Sequence, residues 1–487
     1  MATVRRSLFL SLAERYLSIG LQLILFFVLA RLLTPEDIGL YSVAVALIGL
    51  AHVLRDFGVP SYLIQEVELT DARIRTAFTL MLLMAFGLFG VAFWVASPVA
   101  DFYQDKRLQS VLQVMACTFL LIPFSSTALA LFRREMHFDV LFRINIVSTV
   151  VNFVVALGMA VSGYGFWSMV WSSIAATLTT SALAAWYAKG GFLHRPTLSE
   201  WRRVIGFGSQ ASAAHIVTEV AMKTSDLVAG RVLGFAAVGM LSRAQGIMNL
   251  FHRDLMGAVR NVTYPAFARA FRNGENMEDL HRNSTMTAAT FAWPFYGFFA
   301  LFPLEALRIM FGPQWDAAAP LVPIFCAAGA VAILWYFTLS MLVAVGKVQL
   351  MMRAEFVIQT FRILVFLACG YFFGTLESFA YGLLVVYMVN ILVAYSFKQA
   401  AIPFNVRLMV RGLTHTAVVS LLTLAPALLL RIMLDLQIIE LNMIATLFVA
   451  GLLTVVAWLI ALWVLKHPLW KDAFFCEVKQ RLRAVIP

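Results

Sequence analysis

The chain contains many runs of about 20 consecutive apolar residues, the length that spans a bilayer as an α-helix. Hydrophobic residues make up 61% of the 487 residues and charged residues only 13%, whereas soluble proteins carry about 25% charged residues. The mean hydropathy is +0.85. Apolar and polar residues do not alternate with the period of two that barrel strands require. We therefore predict an all-α polytopic membrane protein.

The apolar runs and the turn signals between them predict about fourteen transmembrane helices, each placed to within about four residues. Basic residues concentrate in alternate loops, which the positive-inside rule assigns to the cytoplasm, so both termini are predicted to be cytoplasmic. The predicted spans are roughly 10–33, 38–57, 76–97, 109–132, 144–162, 165–187, 207–232, 236–257, 285–303, 318–344, 353–373, 377–397, 410–431 and 442–465.

An internal repeat organises these spans. Residues 28–52 align without gaps on residues 228–252, with eight identities in 25 positions where chance gives roughly two. The copies start at spans 1 and 7, six spans apart, so both enter the membrane in the same direction. We predict two parallel six-helix repeats plus a C-terminal helix pair. The corresponding parts are an N-lobe of residues 1–195, a C-lobe of residues 196–400, and residues 401–487 with spans 13 and 14 and a basic cytoplasmic tail.

Charged residues at membrane depth are the candidate functional residues. Glu219, Lys223 and Asp226 recur at three- and four-residue spacing on span 7, so they share one helical face. A charge at the centre of a span costs about 2.5–3.5 kcal/mol, and we interpret the group as lining a water-filled cavity. Pairing of Lys223 with an acid of its own helix is the alternative. Further cations lie on other spans, namely Arg15 on span 1, Arg243 and Arg253 on span 8, and Arg362 on span 11.

The excess of cations among these residues suits an anionic substrate, because arginine presents a planar fork of donors that matches phosphate oxygens. Asp226 and Glu219 are candidates for coupling to a proton or sodium gradient. The sequence has no P-loop, HExxH, GxSxG or paired-cysteine motif. We therefore expect a transporter with no catalytic residue, metal or cofactor. The net charge of +11 follows from the basic inner loops, and we do not expect nucleic acid as a partner.

Three segments carry a family resemblance. LARLLTPEDIGLYSVA (Leu29–Ala44) follows the first span, YPAFARAF (Tyr264–Phe271) lies in an inner loop, and FGPQWDAAAPLVPI (Phe311–Ile324) lies in an outer loop. Together they resemble bacterial polysaccharide flippases of the Wzx type, near the exopolysaccharide exporters. These belong to the multidrug/oligosaccharidyl-lipid/polysaccharide exporter superfamily.

The resemblance implies two six-helix lobes, alternating access and a central cationic cavity lined here by Arg15, Lys223, Arg243, Arg253 and Arg362. The implied substrate is an undecaprenyl-pyrophosphate-linked oligosaccharide repeat unit, flipped across the bacterial inner membrane for exopolysaccharide, capsule, O-antigen or lipopolysaccharide biosynthesis. Membrane lipid, a polymerase and a chain-length regulator are the implied partners. Spans 13 and 14 resemble the extra pair of lipid II flippases, which helps to form a groove for the lipid tail.

Two other functions compete with the flippase. A cation-coupled drug antiporter of the same superfamily would favour acidic cavity residues for cationic drugs, and the buried excess here is basic. A membrane-embedded glycosyltransferase, ligase or polymerase needs an outer carboxylate cluster or a large outer loop, and the sequence shows neither. A scaffold for a synthesis complex would leave the charges at membrane depth unexplained.

Overall fold

The computed structural model describes residues 2–56, 58–188 and 196–471, and these ranges contain α-helices, short 3-10 and π turns and no strand. A helix lies at each of the predicted spans, which confirms the all-α polytopic membrane architecture. The α-helices are α1 (Ala2–Leu32), α2 (Pro35–Asp56), α3 (Val59–Gln65), α4 (Asp71–Tyr103), α5 (Lys106–Arg134), α6 (Phe138–Val161), α7 (Trp167–Tyr187), α8 (Trp201–Val232), α9 (Phe235–Asn249), α10 (Met256–Arg272), α11 (Met277–Leu301), α12 (Pro303–Met310), α13 (Leu321–Ala332), α14 (Thr338–Ala344), α15 (Val348–Ala368), α16 (Leu376–Gln399), α17 (Val406–Asp435) and α18 (Met443–Val464).

Within the described ranges, eight helices are long and apolar enough to cross a membrane. A ninth span results if α11 and α12, which meet at a bend of 89°, are taken together. The predicted spans that fall outside this set include spans 7 and 8, which begin on α8 and α9 and carry most of the candidate charged residues. The number fourteen stays a prediction.

Side-chain caps explain where several helices begin. A side-chain oxygen that accepts from backbone N–H groups of the first turn satisfies donors that have no partner inside the helix. Asn276, for example, accepts from the N–H groups of Glu278 and Asp279 at the start of α11. The other capping residues are Thr70 of α4, Asp105 of α5, Thr375 of α16, Asn405 of α17 and Asn442 of α18.

The described chain divides into two compact units, and the division falls within α9. The first unit comprises residues up to Met240 together with Phe366–Gly374, and the second comprises Leu241–Val365 and the chain from Thr375 onward. In the first unit α8, the first helix of the second repeat, packs against α2, α3 and α4. The predicted lobes of residues 1–195 and 196–400 stay a prediction.

A reciprocal contact joins the two repeats within the first unit. A methyl group on Gly39 would overlap the carbonyl oxygen of Phe235, and one on Gly239 would overlap the carbonyl oxygen of Pro35. The two glycines, like Pro35 and Phe235, lie 200 residues apart, which is the offset of the repeat. The glycine of each copy therefore packs against the matching backbone carbonyl of the other copy, as expected if a twofold axis relates the two copies.

In the second unit, α17 packs on α11 and on α18. Gly297 of α11 has no room for a side chain because Leu424 of α17 occupies it. Near the end of α17 the Arg431 guanidinium forms an ion pair with Glu305 at 2.8 Å. Near the end of α18 the Trp458 indole donates to the carbonyl of Thr290 at 3.1 Å. The C-terminal helix pair is therefore an integral part of this unit.

Two predicted spans are interrupted inside their bounds, and a third, span 11, ends in a π turn over Cys369–Phe373. Span 10 breaks at a turn over residues 333–337, between α13 and α14. Span 8 contains a π turn, Leu250–Leu255, between α9 and α10. The span predicted over 318–344 therefore consists of two helices joined by a turn, in which backbone N–H groups donate to carbonyls three residues earlier.

Candidate functional site

The helical face of span 7 that carries the predicted charged residues lies on α8, in the first unit. Glu219, Lys223 and Asp226 are all half-buried there. The hydroxyl of Tyr103 at the end of α4 donates to the carbonyl of Leu227 at 3.1 Å, which fixes this part of α8 against the first repeat. Arg15 lies on α1, and its side chain is outside the described residues.

An ion-pair cluster holds the other end of α8. The Glu66 carboxylate, whose side chain is only 10% exposed, accepts from the Arg203 guanidinium at 2.9 and 3.2 Å and lies 3.5 Å from Arg73. Burial raises the pKa of Glu66. Hydrogen bonds from Arg203 and Tyr62 and the charges of both arginines lower the pKa by more, so its net shift is downward. The carboxylate is therefore a charged link between the α3–α4 turn and α8.

Arg243, in the second unit, is buried against aromatic rings. Only 5% of the residue is exposed, and its guanidinium lies 5.7 Å from the ring centre of Phe311 and 5.4 Å from that of Trp315. Both aromatic residues are fully buried and belong to the FGPQWD segment. The arrangement is a cation–π cage that ties α9 to the FGPQWD segment.

An ion pair joins the FGPQWD segment to the end of α12. The Arg308 guanidinium donates to both carboxylate oxygens of Asp316, with Nε to Oδ1 at 2.8 Å and Nη2 to Oδ2 at 2.5 Å. These hydrogen bonds lower the pKa of Asp316. Gly312 precedes the 3-10 turn with φ of 103°, a conformation that glycine adopts without strain. The motif is thus a folded structural element of the second unit.

Arg362 and Arg253 also lie in the second unit, but in different surroundings. Arg362 on α15 is buried, whereas Arg253 in the π turn is exposed. The charges of Arg362 and Arg260 act on the imidazole of His252, which places these groups close together. From sequence, His252 is expected near an interfacial helix end, and the structure packs it against the rings of Tyr336 and Tyr387.

Two buried cations, Arg55 on α2 and Lys398 on α16, are missed by reasoning from sequence. The charge pattern alone assigns Arg55 to an inner loop, but the residue lies on α2 and is only 5% exposed. Its Nη1 lies 2.7 Å from Nδ1 of His52, and the His52 ring packs 4.7 Å from that of Phe119. The repeat match of His52 with His252 was the available signal. In each unit the matched histidine lies beside an arginine and an aromatic ring.

The structure therefore places the predicted residues in two sets. Glu219, Lys223 and Asp226 share α8 in the first unit, while Arg243, Arg253 and Arg362 lie on three elements of the second. A single cavity lined by all of them stays a prediction. Among the described residues, no three His, Cys, Asp or Glu side chains are grouped so that they would hold a metal ion.

Comparison with known proteins agrees with this architecture. Residues 28–320 match the family described as polysaccharide biosynthesis protein. The lipopolysaccharide biosynthesis protein WzxC of Escherichia coli is 22% identical over 77% of this chain and 77% of its own length. The succinoglycan biosynthesis transport protein ExoT of Rhizobium meliloti is 26% identical over 66% of this chain and 65% of its own length. The lipid II flippase MurJ, in an inward closed conformation, superposes with a TM-score of 0.72 over 96% of this chain and 99% of its own, at 11% identity.

The fold thus defines the class: a multi-pass α-helical membrane protein with the same fold as the solved lipid II flippase structure. The match over more than half of the chain identifies the family, and the chain belongs to the polysaccharide biosynthesis protein family.

Proposed function

We propose that the protein flips undecaprenyl-pyrophosphate-linked oligosaccharide repeat units from the inner to the outer leaflet of the bacterial inner membrane. The agreement of nearly the whole chain with a lipid flippase fold is the observation that carries the proposal. The names of the relatives from Escherichia coli and Rhizobium meliloti, which refer to polysaccharide biosynthesis and transport, support the substrate class.

The cations at membrane depth are the proposed binding groups for the pyrophosphate. Burial of Arg243 and Arg362 removes water that would compete for the guanidinium donors, and a desolvated cation attracts phosphate more strongly. Lys223, Arg253 and Arg15 complete the proposed set. Glu219 and Asp226, half-buried on α8, are the proposed sites of ion coupling.

An apolar groove on the second unit suits the lipid tail. The groove runs between α11 and α18 and has a volume of about 410 Å³. Its wall contains Phe295 and Phe298 on one side and Gly451 and Trp458 on the other. A polyprenyl chain lacks polar atoms, so a groove of this composition holds it while the charged headgroup moves through the protein.

The proposal includes the orientation and the partners of the protein. Both termini lie in the cytoplasm, where the basic loops place them. A polymerase and a chain-length regulator of the same pathway would receive the flipped unit at the outer leaflet.

The test is deletion of the gene followed by extraction of lipid-linked intermediates. We expect repeat units to accumulate at the cytoplasmic leaflet and surface polysaccharide to fall, with both effects reversed by the wild-type gene. Proteoliposomes that contain the purified protein should move a fluorescent lipid-linked oligosaccharide between leaflets. Unchanged intermediates in the deletion strain, together with no movement in proteoliposomes, would contradict the function.

A further inference from the structure

Two interruptions of helical structure meet inside the second unit. The first is the π turn over Leu250–Leu255, which carries His252. The second is the turn over residues 333–337, which carries Trp335 and Tyr336. The rings of His252 and Tyr336 are 5.3 Å apart and nearly perpendicular, at 85°. Single π turns inside helices occur frequently at functional sites.

The turn over residues 333–337 interrupts its span before the helix is long enough to cross a bilayer. It follows the twelve residues of α13, which extend about 18 Å at 1.5 Å per residue, less than the hydrocarbon core of about 30 Å. Non-helical backbone persists at membrane depth only where it is buried in protein or lines a hydrated space.

Neighbouring aromatic side chains satisfy the backbone at both interruptions. The Tyr395 hydroxyl donates to the carbonyl of Leu334 at 2.8 Å, and the Trp293 indole donates to that of Ala330 at 3.1 Å. The Tyr296 hydroxyl donates to the carbonyl of Met248 at 3.4 Å, just before the π turn. These groups therefore have structural roles.

A second group of polar atoms at the same place has no such role. Nδ1 of His252, Nε1 of Trp335 and Oδ1 of Asn390 are buried and have no hydrogen-bond partner among the described residues. Asn390 itself is 1% exposed. All three surround Tyr387, since His252 and Trp335 lie 5.9 and 6.2 Å from its ring and Asn390 follows it by one turn of α16. Buried polar atoms are nearly always paired, so a group of unpaired ones requires an explanation, and a bound molecule with matching polar groups is one.

The chemistry of this group defines the ligand that it would take. Aromatic rings offer flat apolar surfaces, against which the C–H faces of a sugar ring can pack. The indole N–H can only donate, whereas the amide and the imidazole provide both donors and acceptors, as sugar hydroxyl groups require. The indole, amide and phenol groups carry no charge that would attract a pyrophosphate, whereas Arg362 and Arg260, which lie close to His252, would hold it beside them.

We propose that His252, Trp335, Tyr336, Tyr387 and Asn390 form a sugar-binding subsite for the glycan part of the transported lipid. The proposal rests on the proposed function and adds to it, because the arginines bind the pyrophosphate and this group selects the sugar. Binding of a hydroxyl-rich glycan would be sensitive to loss of a single partner, since the remaining buried groups then stay unpaired.

The experiment measures two affinities of the purified protein in lipid nanodiscs. The probes are polyprenyl pyrophosphate without sugar and the same lipid carrying a disaccharide, both titrated by native mass spectrometry. We expect the wild type to bind the glycosylated lipid more tightly. Trp335→Leu and Asn390→Leu should each weaken binding of the glycosylated lipid ~10-fold, because each loses about one hydrogen bond and its packing contacts. Both variants should bind the bare lipid as the wild type does.

The matched control is Trp186→Leu, which removes a tryptophan that is 72% exposed and should alter neither affinity. Trp335→Phe keeps a ring but loses the N–H donor and should show an intermediate loss. An unchanged affinity for the bare lipid also shows that each variant is folded. If the wild type binds both lipids equally, or if the variants keep the wild-type ratio, the subsite is only a water site and the proposal is wrong. Failure of the wild type to move any lipid-linked oligosaccharide would instead contradict the proposed function.

Discussion

Arg243 and Arg231 show two ways in which an arginine is accommodated beside aromatic rings. Arg243 is buried between Phe311 and Trp315, whereas Arg231 is exposed and covers the ring of Phe102 at 4.9 Å. Cation–π attraction is about 0.5–1 kcal/mol at exposed sites and about 2 kcal/mol when desolvated. The buried residue therefore contributes more to stability.

We predict that Arg243→Lys lowers the stability of the protein by about 1–2 kcal/mol, because an ammonium group cannot stack as a planar guanidinium does. The measurement is the thermal midpoint of the purified protein in detergent. Arg231→Lys is the matched control and should shift the midpoint less. Equal shifts for the two variants would show that the cage around Arg243 has no special role.

The lowered pKa of Glu66 predicts how the stability of the protein depends on pH. Its folded-state pKa is lowered, so the ionised carboxylate stabilises the fold above the unfolded value of about 4.3. That contribution is lost as the pH falls through the lower folded-state pKa. Glu66→Gln should therefore reduce thermal stability at pH 7, and the difference from wild type should shrink between about pH 5 and pH 3. Glu68→Gln, at an exposed position, is the control and should change the stability little at any pH. A stability difference between Glu66→Gln and wild type that does not vary with pH would contradict the stabilising role of the ionised Glu66.

At the scale of elements, the contact of α2 with the start of α9 depends on two glycines. Alanine in place of a helical glycine usually stabilises a helix by about 0.4–1 kcal/mol. At Gly39 and Gly239 the added methyl group would overlap a backbone carbonyl, which cannot move aside as a side chain can. The sign of the effect should therefore reverse there.

We predict that Gly39→Ala and Gly239→Ala each lower the thermal midpoint and slow transport, since the two helix starts must separate. Gly49→Ala on the same helix α2 is the control, because no neighbouring helix or side chain lies within 4 Å of the position that its methyl group would take. This control variant should be neutral or stabilising. A stabilised Gly39→Ala variant would disprove the close approach.

For the whole molecule, the distribution of charge predicts the topology. The loops beside the helix ends that carry Arg73, Arg134, Arg203 and Arg407 should be cytoplasmic, and the FGPQWD segment should be outside. Cysteines introduced in these loops should react with a membrane-impermeant thiol reagent from one side of the membrane only. Labelling of Arg203→Cys from outside would contradict the predicted orientation.

The sequence was sufficient for the positions of the helices, because the thickness of a bilayer fixes the length of an apolar run. It was not sufficient for the break at residues 333–337, whose sequence ILWYF has no glycine or proline. At that break Tyr395 and Trp293 of other helices, which are distant in sequence, donate hydrogen bonds to backbone carbonyls. The burial of Arg55 was missed for the same reason, since a long side chain turns inward only where a partner such as His52 lies.

The reciprocal glycine contact also has a consequence for the origin of the molecule. A surface that fits an identical copy of itself is the kind that closes a symmetric dimer. A single six-helix ancestor with one such glycine would have formed the same contact with a second chain. Gene fusion would then have joined two subunits that already fitted together, and the later copies would have been free to diverge everywhere except at that crossing.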